Sequence, residues 1–229
     1  MNKPQVTEWS ESWKKTFADV GDIEGVLKLW KAPMPRHWER EWTGDLGYRK
    51  KGNDQGEKRI ERQLFEANNR EVTVQYKASK SPIKLIYHNM PLVNQSRGQV
   101  IADAFGVVQI GEIYHPLLFE IKVNNEHPWY ALVENLRQLR LARACARRIQ
   151  QFVKEKTGQQ TARGVWGMVP APKSYFDKSS KRRNSLEASR QLLKILKENT
   201  RARISFGVWN EDQPTQIEII ESNWLNHSL

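Results

Sequence analysis

The chain has 229 residues, 38% of them hydrophobic and 28% charged, and no apolar run approaches the ~20 residues that a membrane-spanning helix needs. Its formal net charge of +11 indicates an anionic partner, most commonly nucleic acid. Cys145 is the single cysteine, which excludes an internal disulfide and a cysteine-based zinc site, and the first residues lack the regions of a signal peptide. We therefore expect a globular, cytoplasmic protein without a membrane partner.

The first 50 residues contain five of the nine tryptophans. Trp9, Trp13 and Phe17 recur every four residues, which predicts an amphipathic helix. We interpret residues 1–50 as a Trp-rich accessory segment packed on a core domain of residues 51–229. Base stacking is the functional alternative for these tryptophans, although rings at helical spacing more often pack in a core.

The middle of the chain predicts one helix followed by four strands. The helix covers residues 57–68, after a turn rich in glycine and asparagine. Residues 71–78 and 83–88 read as paired strands, followed by strands at 99–108 and 117–123. Turn-forming residues between the last two strands favour a hairpin.

Helices and strands alternate in the last hundred residues. Pro128 suits the first turn of a helix, and an apolar stripe extends that helix to about residue 156, a length of roughly 40 Å. A strand at 162–169, a basic loop at 173–183, a helix at 186–199 and a terminal hairpin at 204–221 follow. This order predicts an α/β or α+β fold, a mixed β-sheet flanked by helices.

The predicted strand at 117–123 contains Glu120-x-Lys122, the one Asp/Glu-x-Lys triplet in the sequence. Alternate side chains of a strand share a face, so Glu120 and Lys122 point to the same side. Asp103 is a second carboxylate within an apolar strand, and pairing of the two strands would bring it towards Glu120. Two close carboxylates repel unless a proton or a cation lies between them, and Mg²⁺ or Mn²⁺ suits their oxygen ligands. Lys122 would then stand beside a metal-bound water, which is the arrangement that phosphodiester hydrolysis requires.

This pattern resembles the PD-(D/E)XK nuclease superfamily over about residues 57–166, including the order helix, three strands, helix, strand. The resemblance implies a restriction-endonuclease-like core and a metal-dependent nuclease. It implies that Asp103 and Glu120 bind Mg²⁺ (or Mn²⁺), often together with the Ile121 carbonyl, and that Lys122 is the catalytic lysine.

Two further positions follow from the same resemblance. The family often has a glutamate in the preceding helix, which here is Glu61 or Glu57. Some members have a glutamine in the helix after Glu-x-Lys, and Gln138 occupies a comparable place. The residue before Asp103 is Ala102 rather than the proline of the family pattern, a departure that many members share.

Basic residues of the long helix and of the loop at 173–183 are the candidate nucleic-acid contacts, because lysine and arginine neutralise backbone phosphates. A solvated helix face is the alternative for the arginines. The candidate residues are Arg137, Arg140, Arg147, Lys178, Lys181, Arg182 and Arg183.

The expected function is a Mg²⁺-dependent endo- or exonuclease acting on DNA. A non-catalytic nucleic-acid-binding subunit of a larger complex is one alternative, in which Glu120 and Lys122 form a structural ion pair. An RNA-directed variant is another, because phosphate contacts do not separate RNA from DNA. Cutting two strands often needs two sites, so a homodimer and partner proteins of a nucleic-acid-processing complex both remain open.

Overall fold

The computed structural model describes residues 6–34, 57–66, 70–92, 100–123, 127–177, 180–210 and 212–223. These residues form three helices, then four strands, and then further helices and strands. The helices are α1 (Val6–Ala18), α2 (Ile23–Lys31), α3 (Glu57–Glu66), α4 (Pro128–Ala144), α5 (Ala146–Thr157), α6 (Lys173–Asp177) and α7 (Ser180–Asn199). The strands are β1 (Glu71–Tyr76), β2 (Ser79–Pro91), β3 (Ile101–Ile110), β4 (Ile113–Phe119), β5 (Trp166–Pro172), β6 (Ile204–Asn210) and β7 (Gln213–Ser222). No helix in these ranges is both long and apolar enough to span a membrane.

The strands join in sequence order into a closed barrel. Strands β1 to β4 form an antiparallel meander, β4, β5 and β6 run parallel, and β6 pairs antiparallel with β7. The barrel closes where β7 pairs in parallel with β1, from Thr73 opposite Gln216 to Gln75 opposite Glu218. The expected restriction-endonuclease-like core with an open mixed β-sheet is therefore wrong. Helices do flank the strands, as expected. However, β1 and β7 pair with each other instead of forming two free edges. The sequence pattern of a strand does not show which strand lies beside it.

Buried apolar side chains form two clusters, one on each face of the strands. One cluster draws on all seven strands and on α3, and it includes Leu117 and Phe119 of β4. The other joins strands β2 to β6 with the remaining helices, and it includes Leu118, the residue between those two. Because side chains alternate between the faces of a strand, β4 contributes to both clusters.

The aromatic residues of α1 belong to the second cluster. Trp9, Trp13 and Phe17 are buried, which confirms the predicted amphipathic helix. The Trp129 indole N–H of α4 donates a hydrogen bond to the Thr16 carbonyl at 2.9 Å. These three rings therefore build core rather than a base-stacking surface.

Several element predictions are confirmed and two are wrong. The pairs β1–β2, β3–β4 and β6–β7 form as expected, and each of them is antiparallel. The single helix predicted from Pro128 to about residue 156 divides at Cys145, which ends α4 and precedes α5 with φ −100° and ψ 19°. The loop predicted at 173–183 is largely helical, because α6 occupies its start and α7 begins at Ser180.

Candidate active site

Strands β3 and β4 separate at the point where Asp103 and Glu120 lie. Their register ends with Ala104 opposite Phe119, and one further step along it places Asp103 opposite Glu120. There the Ile121 N–H donates to Asp103 Oδ2 at 2.6 Å instead of to a strand carbonyl. Beyond this point, a polar side chain rather than a backbone carbonyl of β3 accepts the hydrogen bond. Polar groups therefore line the opening between the two strands.

Strand β5 holds the Glu120–Lys122 segment in an extended conformation. The Glu120 N–H donates to the Met168 carbonyl at 3.0 Å, and the Lys122 N–H donates to the Pro170 carbonyl at 3.1 Å. Ile121, between them, belongs to the cluster that contains Phe119. Glu120 and Lys122 thus share the opposite face, which α4 covers, as the alternation of the sequence predicts.

The Glu120 and Lys122 side chains are buried, with 4% and 5% of their surfaces exposed, and they contact each other. Lys122 Nζ lies 2.7 Å from Glu120 Oε1 and 3.2 Å from Glu134 Oε2. It also lies 5.6 Å from the centre of the Tyr130 ring. The Gln138 amide donates to Glu120 Oε2, so each oxygen of this carboxylate has a partner.

Gln138 links the two strands at their separation. In addition to Glu120, its Nε2 donates to the Ile101 carbonyl of β3 at 2.9 Å, and its Oε1 accepts from Asn135 at 3.2 Å. Its side chain is fully buried. Gln138 therefore fixes the position of Glu120 relative to β3.

The pKa of Glu120 is raised well above its ordinary value. Burial is the largest cause, followed by repulsion from the Asp103 and Glu134 carboxylates. The Lys122 ammonium lowers the pKa and offsets part of this effect, whereas a hydrogen bond with Glu134 raises it. A proton or a bound cation at Glu120 would relieve this repulsion.

The donor set fits a hydrated divalent cation. Mg²⁺ retains several waters and uses one or two carboxylates, which Asp103 and Glu120 can supply together with the Ile121 carbonyl. An ionised carboxylate has about four acceptor sites, so the contacts of Glu120 with Lys122, Gln138 and Glu134 leave capacity for a further ligand. Among the described residues, no group of three or more His, Cys, Asp and Glu side chains has the arrangement of a complete metal site.

The predicted helix acid lies in a different contact. Glu61 Oε2 is 2.6 Å from His88 Nε2, and both side chains are buried. The Phe65 ring packs edge-on against His88, with the ring centres 5.1 Å apart. The carboxylates that act on Glu120 are those of Asp103 and Glu134, so Glu61 is not among them. Glu57 begins α3, but its side chain lies outside the described residues.

Two of the candidate arginines serve the packing of helices. Arg137 is 5% exposed, donates to the Ser10 hydroxyl at 3.2 Å and lies 3.4 Å from Glu134 Oε1. Arg140 donates to the Ala32 carbonyl at 3.0 Å. Both contacts tie α4 to the N-terminal segment, so these guanidinium groups do not line an open basic face.

The other basic candidates divide by position. Arg147 and Arg183 are exposed, on α5 and α7 respectively. Lys178 lies outside the described residues, and so do the side chains of Lys181 and Arg182, whose backbone belongs to α7.

The sequence interpretation missed Glu134 and Tyr130 as members of the cluster. Their signal was present, because Tyr130, Glu134 and Gln138 are spaced four residues apart and so share one face of α4. His88, the partner of Glu61, had no comparable signal, since a histidine in an alternating strand is common on either face.

Comparison with known proteins yields no match: no protein-family model matches the chain, and no curated protein or solved structure gives a significant match.

Proposed function

We propose that this protein is a metal-dependent nuclease that hydrolyses phosphodiester bonds in DNA by PD-(D/E)XK chemistry. The observation that carries the proposal is the meeting of Asp103, Glu120 and Lys122 where β3 and β4 separate. Two buried charges, Glu120 and Lys122, beside the half-buried Asp103 carboxylate are expensive to assemble, because each charge loses hydration. Such groups with perturbed pKa values are typical of functional sites, although structural ion pairs share this property.

Asp103 and Glu120 would hold Mg²⁺ or Mn²⁺, with the Ile121 carbonyl as a further oxygen ligand. The bound ion would lower the pKa of a water and neutralise negative charge on the phosphate. The protein holds these ligands in place through the Ile121 N–H on Asp103 and the Gln138 amide on Glu120. The ligands would therefore need little rearrangement when the ion binds.

Lys122 would stabilise the charge that develops on the phosphate oxygens. Its ammonium is held between Glu120 and Glu134 and is almost completely buried, so its interaction with a phosphate would be weakly screened. Glu134 would keep the ammonium positioned, since it is the second carboxylate within 4 Å of Nζ.

A non-cutting nucleic-acid-binding subunit is the second candidate, on DNA or RNA. Both oxygens of Glu120 already have partners, and its raised pKa favours a protonated carboxyl. A structural polar network on α4 would have the same contacts. The net charge of +11 supports nucleic-acid binding equally in both candidates.

A cleavage assay separates the two candidates. Purified protein is incubated with supercoiled DNA, linear duplex, single-stranded DNA and single-stranded RNA, in Mg²⁺, Mn²⁺ or EDTA. Wild type and Glu218→Gln, which alters an exposed carboxylate on β7, are expected to cut in metal and not in EDTA. Asp103→Asn and Glu120→Gln are expected to cut at least about 100-fold more slowly. Binding of nucleic acid without metal-dependent cleavage of any substrate would contradict the nuclease proposal and favour the binding subunit.

A further inference from the structure

An arginine-lined cleft lies at the break between α4 and α5. It has a volume of about 410 Å³, and its lining contains Arg143, Arg147, Arg148 and Arg163. The remaining lining residues are Ala144, Cys145 and Ala146, so no acidic side chain of the described residues borders it. We call this feature the arginine cleft.

Arg143 of the arginine cleft also lies near three arginines outside the cleft lining. Burial lowers the pKa of Arg143, and repulsion from Arg140, Arg201 and Arg203 lowers it further. Neighbouring cations destabilise one another unless an anion lies among them. Within the described part of the chain, no ion pair involves Arg143, Arg147 or Arg163.

One arginine of the cleft, Arg143, is held in place by an aromatic ring. The Arg143 guanidinium lies over the Trp30 ring, 5.3 Å from its centre, and this cation–π contact does not consume N–H donors. Arg147 and Arg163 are exposed at the rim. A planar guanidinium matches two oxygens of a phosphate at once, so several of them around one cleft suit a phosphate better than a single carboxylate.

We propose that the arginine cleft binds a phosphate group, supplied by the backbone of a nucleic acid. Free phosphate or a nucleotide has the same chemistry and is the alternative source. The start of α5 adds to the positive potential, because Cys145 makes no side-chain capping hydrogen bond to it.

The position of the cleft makes it separate from the candidate active site. Cys145 follows Gln138 by seven residues, which corresponds to roughly 10 Å along a helix. A phosphate in the cleft would therefore be a different one from the phosphate being cut, on the order of three nucleotides away at 3.4 Å per nucleotide. The nucleic-acid source rests on the proposed function, whereas the phosphate site itself does not.

The test compares two double variants of the full chain in EDTA, where no cleavage occurs. Arg147→Ala/Arg163→Ala removes two exposed arginines of the cleft. Lys154→Ala/Lys156→Ala removes the same charge from exposed positions of α5 outside the cleft lining. Binding of a fluorescent DNA duplex is measured by anisotropy over a range of salt concentrations, and inorganic phosphate is titrated separately in a thermal-shift assay. Circular dichroism checks that both variants fold.

We expect the cleft variant to bind the duplex about 10-fold more weakly than the control variant, with a salt slope smaller by about 1 to 2. In a second outcome, the two variants bind the duplex equally, and phosphate stabilises wild type and the control variant but not the cleft variant. This result would support a phosphate site whose ligand is free phosphate. Equal losses in the two variants, or no binding of either probe by wild type, would overturn the proposal. Because binding is measured without metal, either result is independent of whether the protein cuts DNA.

Discussion

Individual residues of the candidate active site depend on one another for their charge state. Lys122 has two carboxylate neighbours, and Glu120 has one ammonium and two carboxylates near it. Removing one partner of a buried pair leaves an uncompensated charge, which costs about 3–5 kcal/mol. Isosteric neutral substitutions are therefore the informative ones here.

Glu120→Gln should change how stability depends on pH in the absence of metal. The folded wild type holds the Glu120 proton more tightly than the unfolded chain, because the pKa is raised from its ordinary value of 4.5. The contribution of this proton to the free energy of unfolding is fully present below pH 4.5. It is lost as the pH rises through the raised pKa of Glu120. Glutamine cannot ionise and avoids this loss. The melting temperature of Glu120→Gln minus that of wild type, measured in EDTA, should therefore increase with pH, and a decrease would contradict the assigned direction.

His115 should make the protein sensitive to acid. Burial lowers its pKa from 6.5 to about 4, and its ring stacks on Trp166 with the centres 3.7 Å apart. The unfolded chain takes up a proton below 6.5 and the folded protein does so only near 4, so stability falls between these values. His115→Phe should lose less stability between pH 7 and pH 4.5 in urea titrations. Parallel losses in the two proteins would show that other groups cause the acid sensitivity.

At the scale of elements, α4 organises the site, since it contributes Tyr130, Glu134 and Gln138 from one face. Gln138→Ala should slow cleavage by about 10- to 100-fold, because Glu120 loses its positioning partner. It should also lower the free energy of unfolding by about 1–3 kcal/mol, because the half-buried Ile101 carbonyl loses its donor. Activity and urea unfolding are measured beside those of Gln150→Ala, a substitution on α5 that removes a hydrogen bond to the Thr161 carbonyl. Equal losses of activity in the two variants would show that Gln138 has no special role.

The sequence predicted elements whose signal is local. Alternation in residues 117–123 gave the shared face of Glu120 and Lys122, and helical spacing gave the buried rings of α1. The division at Cys145 lacked a proline or glycine signal, so the apolar stripe continued across it. Arg137 looked exposed because its burial depends on α1, a helix more than a hundred residues away in the chain. Long-range packing of this kind has no periodic pattern.

At the scale of the whole molecule, the expected open sheet fails at the pairing of β1 with β7. Whether β1 and β7 pair depends on how the 140 or so residues between them bring the two strands together. No local sequence pattern determines this. The contacts of the candidate site do not depend on this closure, because they involve β3, β4 and β5, which are neighbours in the barrel. The pairing of β3 with β4 near Asp103 and Glu120 can thus be predicted even when the closure of the sheet is not.

The seam between β1 and β7 should open more readily than the pairing of β2 with β3. It has three register pairs, whereas β2 and β3 have seven. Hydrogen exchange under native conditions should therefore be faster for the amides of residues 216–218 than for those of residues 104–108, because short pairings open more readily. Equal or greater protection of residues 216–218 would show that the barrel opens elsewhere first.

The most direct test of the central claim is the single-turnover rate of DNA cleavage by Lys122→Met in saturating Mg²⁺. Lys154→Met is the matched control, since it removes an exposed lysine of α5. Methionine retains much of the apolar stem of lysine and removes its charge. We predict a rate at least about 100-fold below wild type for Lys122→Met and an unchanged rate for the control. Cleavage by Lys122→Met at the wild-type rate would contradict the assignment of Asp103, Glu120 and Lys122 as a nuclease site.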